Sequence, residues 1–463
     1  MFKVISTRFF NKEIVAIAIA SQSLVGMPIF AAGFQVNETS TSLQGSAMAG
    51  AAAANNDVSA LFNNPATMST LKNTQFYLGA NEFLPSVDMR DGAAIHIFNA
   101  PGDPLSSIIA PVNGRTYKNN ISKSAFIPYG YVGWHFGDKF SAGVAIVEPY
   151  YLSNDYSRDS VLRFVSVKSE VNSVNVNPSL AYEFNEQWSI GVGFQAQYLK
   201  TIFSNYNGIY TGISALDSFV AATKPSYLES DGWGYGYTLG GLYQPDQLTR
   251  LGISYRSQIA TRLQGEGTQY TMPGPAVPAP INTMMANIET EVLTHIKTPG
   301  VFSLGVARDV NEWWTLKGGF QVNFWNRLNV LTIETPNAFE MENKIPMRWR
   351  NTWFAAIGAD YRYNSSWTAR TGFAFDQTPT RDTRRDPRIP DQDRFWLNFG
   401  LSYAMKNNLS IDGAYSHVFM NDKRVSVIQL NRGLFSNSTE VNVVDAKYKG
   451  SNDVVSLALR YRC

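Results

Sequence analysis

The sequence contains a single cysteine and only four histidines. Because Cys463 is the single cysteine among 463 residues, no disulfide can form within the chain. The histidines are far apart, and none has the spacing to a second His or Cys that a metal site needs. We therefore expect no metal and no cofactor.

Charged residues are also scarce. They make up 16% of the chain, against roughly 25% in an ordinary soluble domain, and the net charge is +2. Polarity is carried instead by Asn, Ser, Thr, Gln and Gly. No basic patch stands out, so we expect no nucleic-acid partner.

Long apolar runs are confined to the N-terminus. A basic start precedes apolar stretches at 14–20 and 24–31, which end in the small residues Ala31-Ala32. This pattern is typical of a Sec-type signal peptide, so we predict a signal peptide over 1–31 and export of the mature chain. No later segment approaches the ~18–20 apolar residues of a transmembrane helix.

What the chain does have is alternation of apolar and small polar residues. In Val455–Cys463 the odd positions are mainly apolar and the even ones small or charged, and Trp188–Tyr198 and Leu397–Met405 repeat the pattern. A soluble sandwich usually exposes Lys, Glu and Thr instead. Small polar residues on the second face favour a barrel lumen packed against a plug.

Short and long connections also alternate along the chain. Short turns on one side and long loops on the other are typical of a transmembrane β-barrel. Six such turns predict fourteen antiparallel strands, and Trp188, Trp314 and Trp367 just after three turns fit an interfacial aromatic girdle. The turns are at 137–139, 185–187, 245–247, 311–312, 364–366 and 406–408.

One stretch near the N-terminus does not read as strand. Gly33–Leu71 is rich in Ala, Ser, Asn and Gly and has a weak helical pattern. We predict a small helical hatch over 32–72 inside the lumen of an all-β barrel formed by 73–463.

Two features interrupt the strand pattern. Parity places Glu148 on the lipid face of its strand, and Pro149 cannot donate a ladder hydrogen bond. We predict a broken ladder at Val147–Tyr150, which is either the end of the strand at the rim or an opening in the wall. A second departure is Ile209–Leu228, where apolar residues at helical spacing predict a short amphipathic helix.

Several arginines fall on the lumen side by parity. We expect most of them to pair with carboxylates such as Asp360 or Asp393, and one or two to hold an anionic head group. Lys200 shares a face with Tyr198 and is interpreted as a rim lysine. The lumen-side arginines are Arg256, Arg327, Arg348, Arg350, Arg370 and Arg394.

Several motifs resemble those of the FadL-type family, the outer-membrane transporters of long-chain fatty acids and other hydrophobic compounds in Gram-negative bacteria. The resemblance covers nearly the whole mature chain. It rests on AGFQVNE (32–38), the hatch motif Asn64-Pro65-Ala66, TGFAFDQTP (371–379) and IPDQDRFWL (389–397), with weaker matches at YRS (255–257) and WRNTW (349–353).

The resemblance implies a fourteen-stranded barrel with an N-terminal hatch and a passive mechanism. A ligand would land in an extracellular groove, pass to an apolar lumen pocket and leave sideways after the hatch moves. The implied site residues are Phe34 at the pocket, Gly33, Gln35, Asn64, Pro65 and Ala66 in the hatch, and Glu148, Pro149 and Tyr150 at the lateral exit. Arg327 and Arg350 are the predicted head-group ligands, by parity.

Three departures from the family pattern bear on substrate and assembly. Tyr151 stands where the family's kink often has Gly, and Asn205 and Thr332 stand nearest to its head-group basic residues. Cys463 replaces the usual terminal aromatic. The ligand is therefore a fatty acid or, alternatively, a hydrocarbon.

The expected partners are a hydrophobic small molecule, outer-membrane lipid and lipopolysaccharide, and the barrel-assembly machinery, with the protein a monomer. An adhesin role is a further alternative. An enzyme is disfavoured, because no G-x-S-x-G motif occurs and no Ser-His pair lies in a family motif.

Overall fold

The computed structural model describes residues 33–99, 107–210, 219–222, 224–270, 287–336, 341–406, 408–432 and 439–463. The predicted signal peptide lies outside these residues. The described chain forms a small hatch followed by fourteen barrel strands. They are β1 (Gln75–Asn99), β2 (Ala125–Phe136), β3 (Phe140–Val147 and Tyr151–Asp155), β4 (Lys168–Glu183), β5 (Trp188–Asn205), β6 (Ser226–Tyr243), β7 (Thr249–Arg256 and Ile259–Gln269), β8 (Ile288–Thr298 and Val301–Asp309), β9 (Trp314–Asn323 and Val330–Thr335), β10 (Met341–Pro346 and Thr352–Arg362), β11 (Trp367–Asp376), β12 (Arg394–Ala404), β13 (Leu409–Met420 and Lys423–Arg432) and β14 (Thr439–Arg462).

Each strand pairs antiparallel with its neighbour in sequence, and β1 pairs with β14 to close the barrel. The closing ladder runs from Gln75 opposite Arg462 to Asn99 opposite Thr439. Closure pairs the first strand with the last and so removes the two outer edges that an open sheet would expose to hydrocarbon. The predicted fourteen-stranded barrel is confirmed.

The alternating pattern separates the two faces of the wall. In β14, Val455, Leu457, Leu459 and Tyr461 are exposed, whereas the residues between them are buried. The three girdle tryptophans are also exposed on the outside, with Trp188 51% accessible. The apolar face therefore points outward, as expected in a bilayer.

The strands extend further than the sequence predicts. Much of what reads as long loop is paired strand, because β1 continues to Asn99 and pairs with Ser107–Pro111, and β13 and β14 pair through Arg432. The helix predicted over Ile209–Leu228 is wrong in its described parts. Gly208–Tyr210 pairs antiparallel with Phe219–Ala221, so hydrogen bonds between strands replace the helix there.

The hatch consists of short helical turns buried in the lumen. Thr41–Gln44 forms one α-helical turn, and Ala51–Ala53, Val58–Ala60 and Pro65–Thr70 are 3₁₀ turns. The Asn64 side chain accepts the Ala66 amide hydrogen and caps the last of these turns, in which Pro65 occupies the first position. The predicted small helical plug is thus observed.

Inward-facing glycines hold the wall against the hatch. A side chain at any of them would collide with hatch backbone or with the side chain of Asn64 or Pro65, so their absence allows the close approach. Just outside this contact the lipid-facing wall carries an apolar hollow of about 940 Å³. The glycines are Gly191, Gly240, Gly252, Gly305, Gly358, Gly372 and Gly400.

The ladders of five strands break above the hatch. The breaks at 257–258 in β7 and 299–300 in β8 lie opposite each other, because Arg256 pairs with Val301 and Ile259 with Thr298. The adjacent breaks in β9 (324–329) and β10 (347–351) continue this level, and β3 is broken at 148–150. Side chains at these breaks build the candidate site.

Candidate functional site

The ring of Phe34, at the start of the hatch, is enclosed by three aromatic rings from the barrel. Its centroid lies 4.9 Å from that of Trp325 and 5.8 Å from those of Trp349 and Tyr150. Trp325 and Trp349 are themselves 4.9 Å apart in an edge-to-face arrangement. All four side chains are buried. We call Tyr150, Trp325 and Trp349 the aromatic cage.

The cage exists because the strands break where they do. Trp325 begins the 3₁₀ turn Trp325–Arg327, which interrupts β9, and Trp349 lies in the break of β10. Because neither tryptophan belongs to a strand segment, the in–out alternation of the sheet does not fix the direction of its side chain, and both indoles point into the lumen. The cage belongs to an apolar cluster that includes Leu152, Leu199, Leu263, Ile296 and Leu331 from five other strand segments. The lumen above the hatch is therefore suited to an apolar ligand.

The hatch N-terminus pairs with the broken part of β3. Val36 donates its amide hydrogen to the Pro149 carbonyl, Tyr151 donates to the Phe34 carbonyl, both over 2.8 Å, and Gln35 lies opposite Tyr150. A third link joins the Gly33 amide to the carboxylate of Asp391 at 2.8 Å. Phe34 is thus tethered to the wall by backbone bonds on both sides.

The break in β3 coincides with a gap in the wall ladder. Within the described residues, β2 pairs with β3 only from Gly130 to Phe136, so its upper part, Ala125–Tyr129, pairs with β1 alone. Glu148 accepts the Ser173 amide hydrogen at 3.3 Å. The Ser173 hydroxyl donates to the Tyr150 carbonyl. Hydrogen bonds to β4 therefore fix the chain at the break in β3, which lies at the predicted position.

The hatch motif contacts the lower wall. The Asn64 amide donates to the Gly241 carbonyl at 3.0 Å and to the Ala52 carbonyl at 2.7 Å. Pro65 and Ala66 lie against Gly191, where a side chain would overlap their backbone. These contacts fix the body of the hatch against the lower wall.

The two predicted head-group arginines lie next to the cage in sequence but do not enter it. Arg327 is exposed at the end of its 3₁₀ turn. Arg350 donates to the Thr378 carbonyl at 3.1 Å and lies 4.0 Å from Asp393. Their role as head-group ligands remains a prediction.

The expected pairing of lumen arginines is found at three of the six predicted positions, one of which is Arg350 with Asp393. Arg370 lies 3.4 Å from Asp360, and Arg394 lies 3.3 Å from Asp376 and also contacts Asp391. Lys200, interpreted as a rim lysine, pairs with Glu229. The arginine pairs stabilise the inner wall and do not point into an open lumen.

The hatch carries two buried carboxyls of opposite character. Burial raises the pKa of Glu38 to about 7, more than the charge of Arg394 lowers it. Burial also acts on Asp57, but Arg460 at 2.9 Å and the hydroxyls of Ser42 and Ser59 hold its pKa well below the usual value. Asp57 is therefore an ionised anchor, whereas Glu38 is easily protonated.

The sequence motifs pointed to only part of this site. Phe34, Gln35 and the break at Glu148–Tyr150 were identified from sequence, but Trp325 and Trp349 were not. The weak match WRNTW, which begins at Trp349, was the one available signal for the second indole. No sequence signal pointed to Trp325, because the alternation of inward and outward residues is lost where a strand is broken.

Comparison with known proteins gives concordant matches over the whole chain. The family model described as outer membrane protein transport protein (OMPP1/FadL/TodX) matches residues 22–463. The long-chain fatty acid transport protein of Escherichia coli O6:H1 is 27% identical over 432 residues, covering 88% of this chain and 91% of the relative. Outer membrane protein P1 of Haemophilus influenzae is 26% identical, covering 93% and 95%.

Two solved structures extend the comparison to the fold. The crystal structure of a Pseudomonas aeruginosa FadL homologue superposes with a TM-score of 0.80 at 26% identity, covering 93% of this chain and all of that chain. The Pseudomonas putida toluene transporter TodX gives a TM-score of 0.63 at 17% identity over 92% of this chain and 99% of that chain, a likeness of fold alone.

Proposed function

We propose that this chain, which belongs to the OMPP1/FadL/TodX family of outer-membrane transporters of hydrophobic compounds, takes up long-chain fatty acids by passive diffusion. Its relatives include long-chain fatty acid transport proteins that match it over most of their length. The observation that carries the proposal is the placement of Phe34, which closes an apolar cage while its own carbonyl is bonded to the wall.

This placement couples ligand binding to movement of the hatch. An alkyl chain that enters the cage competes with the Phe34 ring for the faces of Trp325 and Trp349. Once the ring is displaced, the bonds from Phe34 and Val36 to Tyr151 and Pro149 are strained and break. The N-terminal segment then leaves the broken part of β3.

The released segment uncovers a route to the membrane. The upper part of β2 has no ladder to β3 in the described structure, so a ligand at this level meets a gap rather than a hydrogen-bonded sheet. We propose that an extracellular groove collects the ligand and that this gap is its lateral exit. The apolar path makes energy coupling unnecessary, because partition into the bilayer is itself favourable.

The proposed substrate class, a fatty acid, depends on binding of the carboxylate head group. Arg327 and Arg350 each follow one of the two cage tryptophans in sequence, and a guanidinium forks onto a carboxylate with two hydrogen bonds. We propose that they receive the acid at entry. The protein would work as a monomer, folded by the barrel-assembly machinery into a membrane of phospholipid and lipopolysaccharide.

Uptake of a neutral hydrocarbon is the second candidate. The specific observation in its favour is that the aromatic cage has no charged member and that Arg350 is engaged by Thr378 and Asp393. The fold of toluene transporters is compatible with it.

The two candidates separate in one uptake experiment. Cells lacking their own transporter would express the wild type, Arg327→Ala or Arg350→Ala, and be given radiolabelled oleate or toluene. Oleate uptake that falls in an arginine variant supports the fatty-acid proposal. Toluene uptake indifferent to both variants supports the hydrocarbon reading, and uptake of neither, with folded barrels present, contradicts transport.

A further inference from the structure

Arg256, on the inner face of the barrel beside the aromatic cage, has no carboxylate partner in the described part of the chain. It ends the lower segment of β7 and stacks on Phe62, its guanidinium 4.2 Å from the ring centroid. The groups that act on its charge are the neutral hydroxyls of Tyr150, to which it is hydrogen-bonded, and Tyr131. Arg462, at the short-turn end of the barrel, also lacks a carboxylate partner among the described residues, but it donates to the Ser410 hydroxyl at 3.4 Å.

Other interior arginines are neutralised. Each has a carboxylate oxygen within 3.4 Å, as expected where removing a charge from water is costly. These pairs are Arg250 with Asp309, Arg370 with Asp360, Arg385 with Asp382, Arg388 with Asp386, Arg394 with Asp376 and Arg460 with Asp57. Arg256 therefore lacks the carboxylate counter-ion that these six arginines have among the described residues.

Arg256 faces a narrow polar cleft between the hatch and the wall. The hatch side of this cleft is formed by Gln35, Asn37, Thr39 and Asn63. Its volume is about 10 Å³, which is room for roughly one water molecule. The cleft is closed by the same N-terminal segment that carries Phe34.

The polar atoms around this cleft are poorly satisfied. The Thr39 hydroxyl, the Asn63 amide nitrogen and the Gln35 side-chain oxygen are buried without a hydrogen-bond partner in the described structure. Thr39 and Gln35 are 5% and 2% exposed. The Asn63 amide nitrogen is a donor, the Gln35 oxygen is an acceptor and the Thr39 hydroxyl can be either. An acceptor would satisfy the Asn63 amide and the Thr39 hydroxyl, and opposite the Arg256 guanidinium the favoured acceptor is an anion.

We propose that Arg256 and its cleft bind the anionic head group of the transported amphiphile once Phe34 has left the cage. The inference rests on the proposed transport function and adds a second head-group station below the cage, on the hatch side of Tyr150. When the N-terminal segment moves, Phe34 leaves the cage and Gln35–Thr39 leave the cleft, which becomes wider. A carboxylate therefore reaches the Arg256 guanidinium only after the segment has moved. A neutral hydrocarbon gains nothing there, which makes Arg256 a specificity-determining residue.

The test compares ionised and neutral ligands on the same variants. Arg256→Met keeps a long apolar side chain against Phe62 but removes the charge. Arg256→Lys keeps the positive charge but lacks the paired N–H donors with which a guanidinium binds a carboxylate. We expect Arg256→Met to lower oleate uptake about tenfold or more, the loss of a charge-assisted hydrogen bond, with toluene uptake within twofold of wild type. Arg256→Lys should recover part of the oleate uptake, and Arg308→Met, which removes an exposed arginine on the outer face of β8, should change neither.

Direct binding distinguishes failure of this inference from failure of the transport proposal. Purified barrels would be titrated with oleate and with methyl oleate, following tryptophan fluorescence, in chloride and in chloride-free buffer. Weaker oleate binding in Arg256→Met, with methyl oleate unchanged, supports the site even if cells take up neither compound. Equal oleate affinity in wild type and Arg256→Met overturns it, as does a parallel loss of both ligands. Oleate binding that strengthens without chloride in wild type but not in Arg256→Met also supports the site, because the two anions then compete for Arg256.

Discussion

The Val36 amide donates to the Pro149 carbonyl over 2.8 Å, and this bond joins the hatch to the interrupted wall. Pro149 has no N–H, so it cannot serve as a ladder donor, but its carbonyl is free to accept. The residue that breaks the strand is therefore also the residue that anchors the hatch N-terminus. In the proposed mechanism, opening of the lateral route and release of the N-terminal segment are therefore one event.

Substitution of the wall glycines should prevent the barrel from closing on its hatch. A Cβ at Gly252 would overlap the Ala52 carbonyl, whereas at Gly130 the nearest atom would be a Leu78 methyl carbon 3.7 Å away. We expect Gly252→Val to lower the folded fraction, at a cost of about 1–3 kcal/mol or more. Heat-modifiable mobility on gels measures this fraction, and Gly130→Val is the matched control. Equal folding of the two variants would contradict tight wall–hatch packing.

Attachment of the N-terminal segment should weaken as pH rises from about 4.5 to 7. Burial raises the pKa of Glu38 to about 7 in the attached state from an ordinary value of 4.5, with Arg394 and Asp376 as its charged neighbours. Between these values the detached carboxyl ionises while the attached one stays protonated, so attachment loses free energy. Above pH 7 both forms are ionised and the loss levels off.

The measurement for Glu38 is maleimide labelling of a cysteine placed at Val36, in a Cys463→Ser background. The labelling rate divided by that of the same protein with Glu38→Gln cancels the pH dependence of the thiol. We expect the ratio to rise from pH 4.5 to 7 and then stay constant. A ratio that does not change with pH would exclude Glu38 as the sensitive group.

Removing the Phe34 ring should release the segment. Truncation of a buried phenylalanine costs about 3–5 kcal/mol when the cavity cannot collapse, and the two indoles are held by their own strand breaks. Phe34→Ala should therefore raise labelling at Val36→Cys at least tenfold, and Phe34→Leu, which keeps apolar volume, should raise it less. A labelling rate in Phe34→Ala equal to that of Val36→Cys with Phe34 intact would mean that the backbone bonds alone hold the segment.

Much of the fold was predictable because lipid outside the wall enforces strict alternation. Leu457 and Leu459 must face hydrocarbon and Ala458 the hatch, so period-two counting finds the strands and the short turns fix their number. The same counting fails at Trp325 and Trp349, where the strands break and parity is lost. It likewise placed Arg327 and Arg348 in the lumen, although both are exposed and Arg348 has a φ of 44°. Arg256 was counted correctly, but its lack of a carboxylate depends on tertiary neighbours that no local pattern encodes.

The most direct test of the account is a reversible lock between the hatch and the break in β3. Gln35 and Tyr150 lie directly opposite in an antiparallel bridge, a separation that a disulfide can span. Gln35→Cys with Tyr150→Cys, in the Cys463→Ser background, would be assayed for oleate uptake before and after reduction, beside each single variant. Uptake that is at least tenfold lower when oxidised and recovers on reduction is the predicted result. Uptake unaffected by the closed disulfide would contradict movement of the hatch N-terminus as the gate.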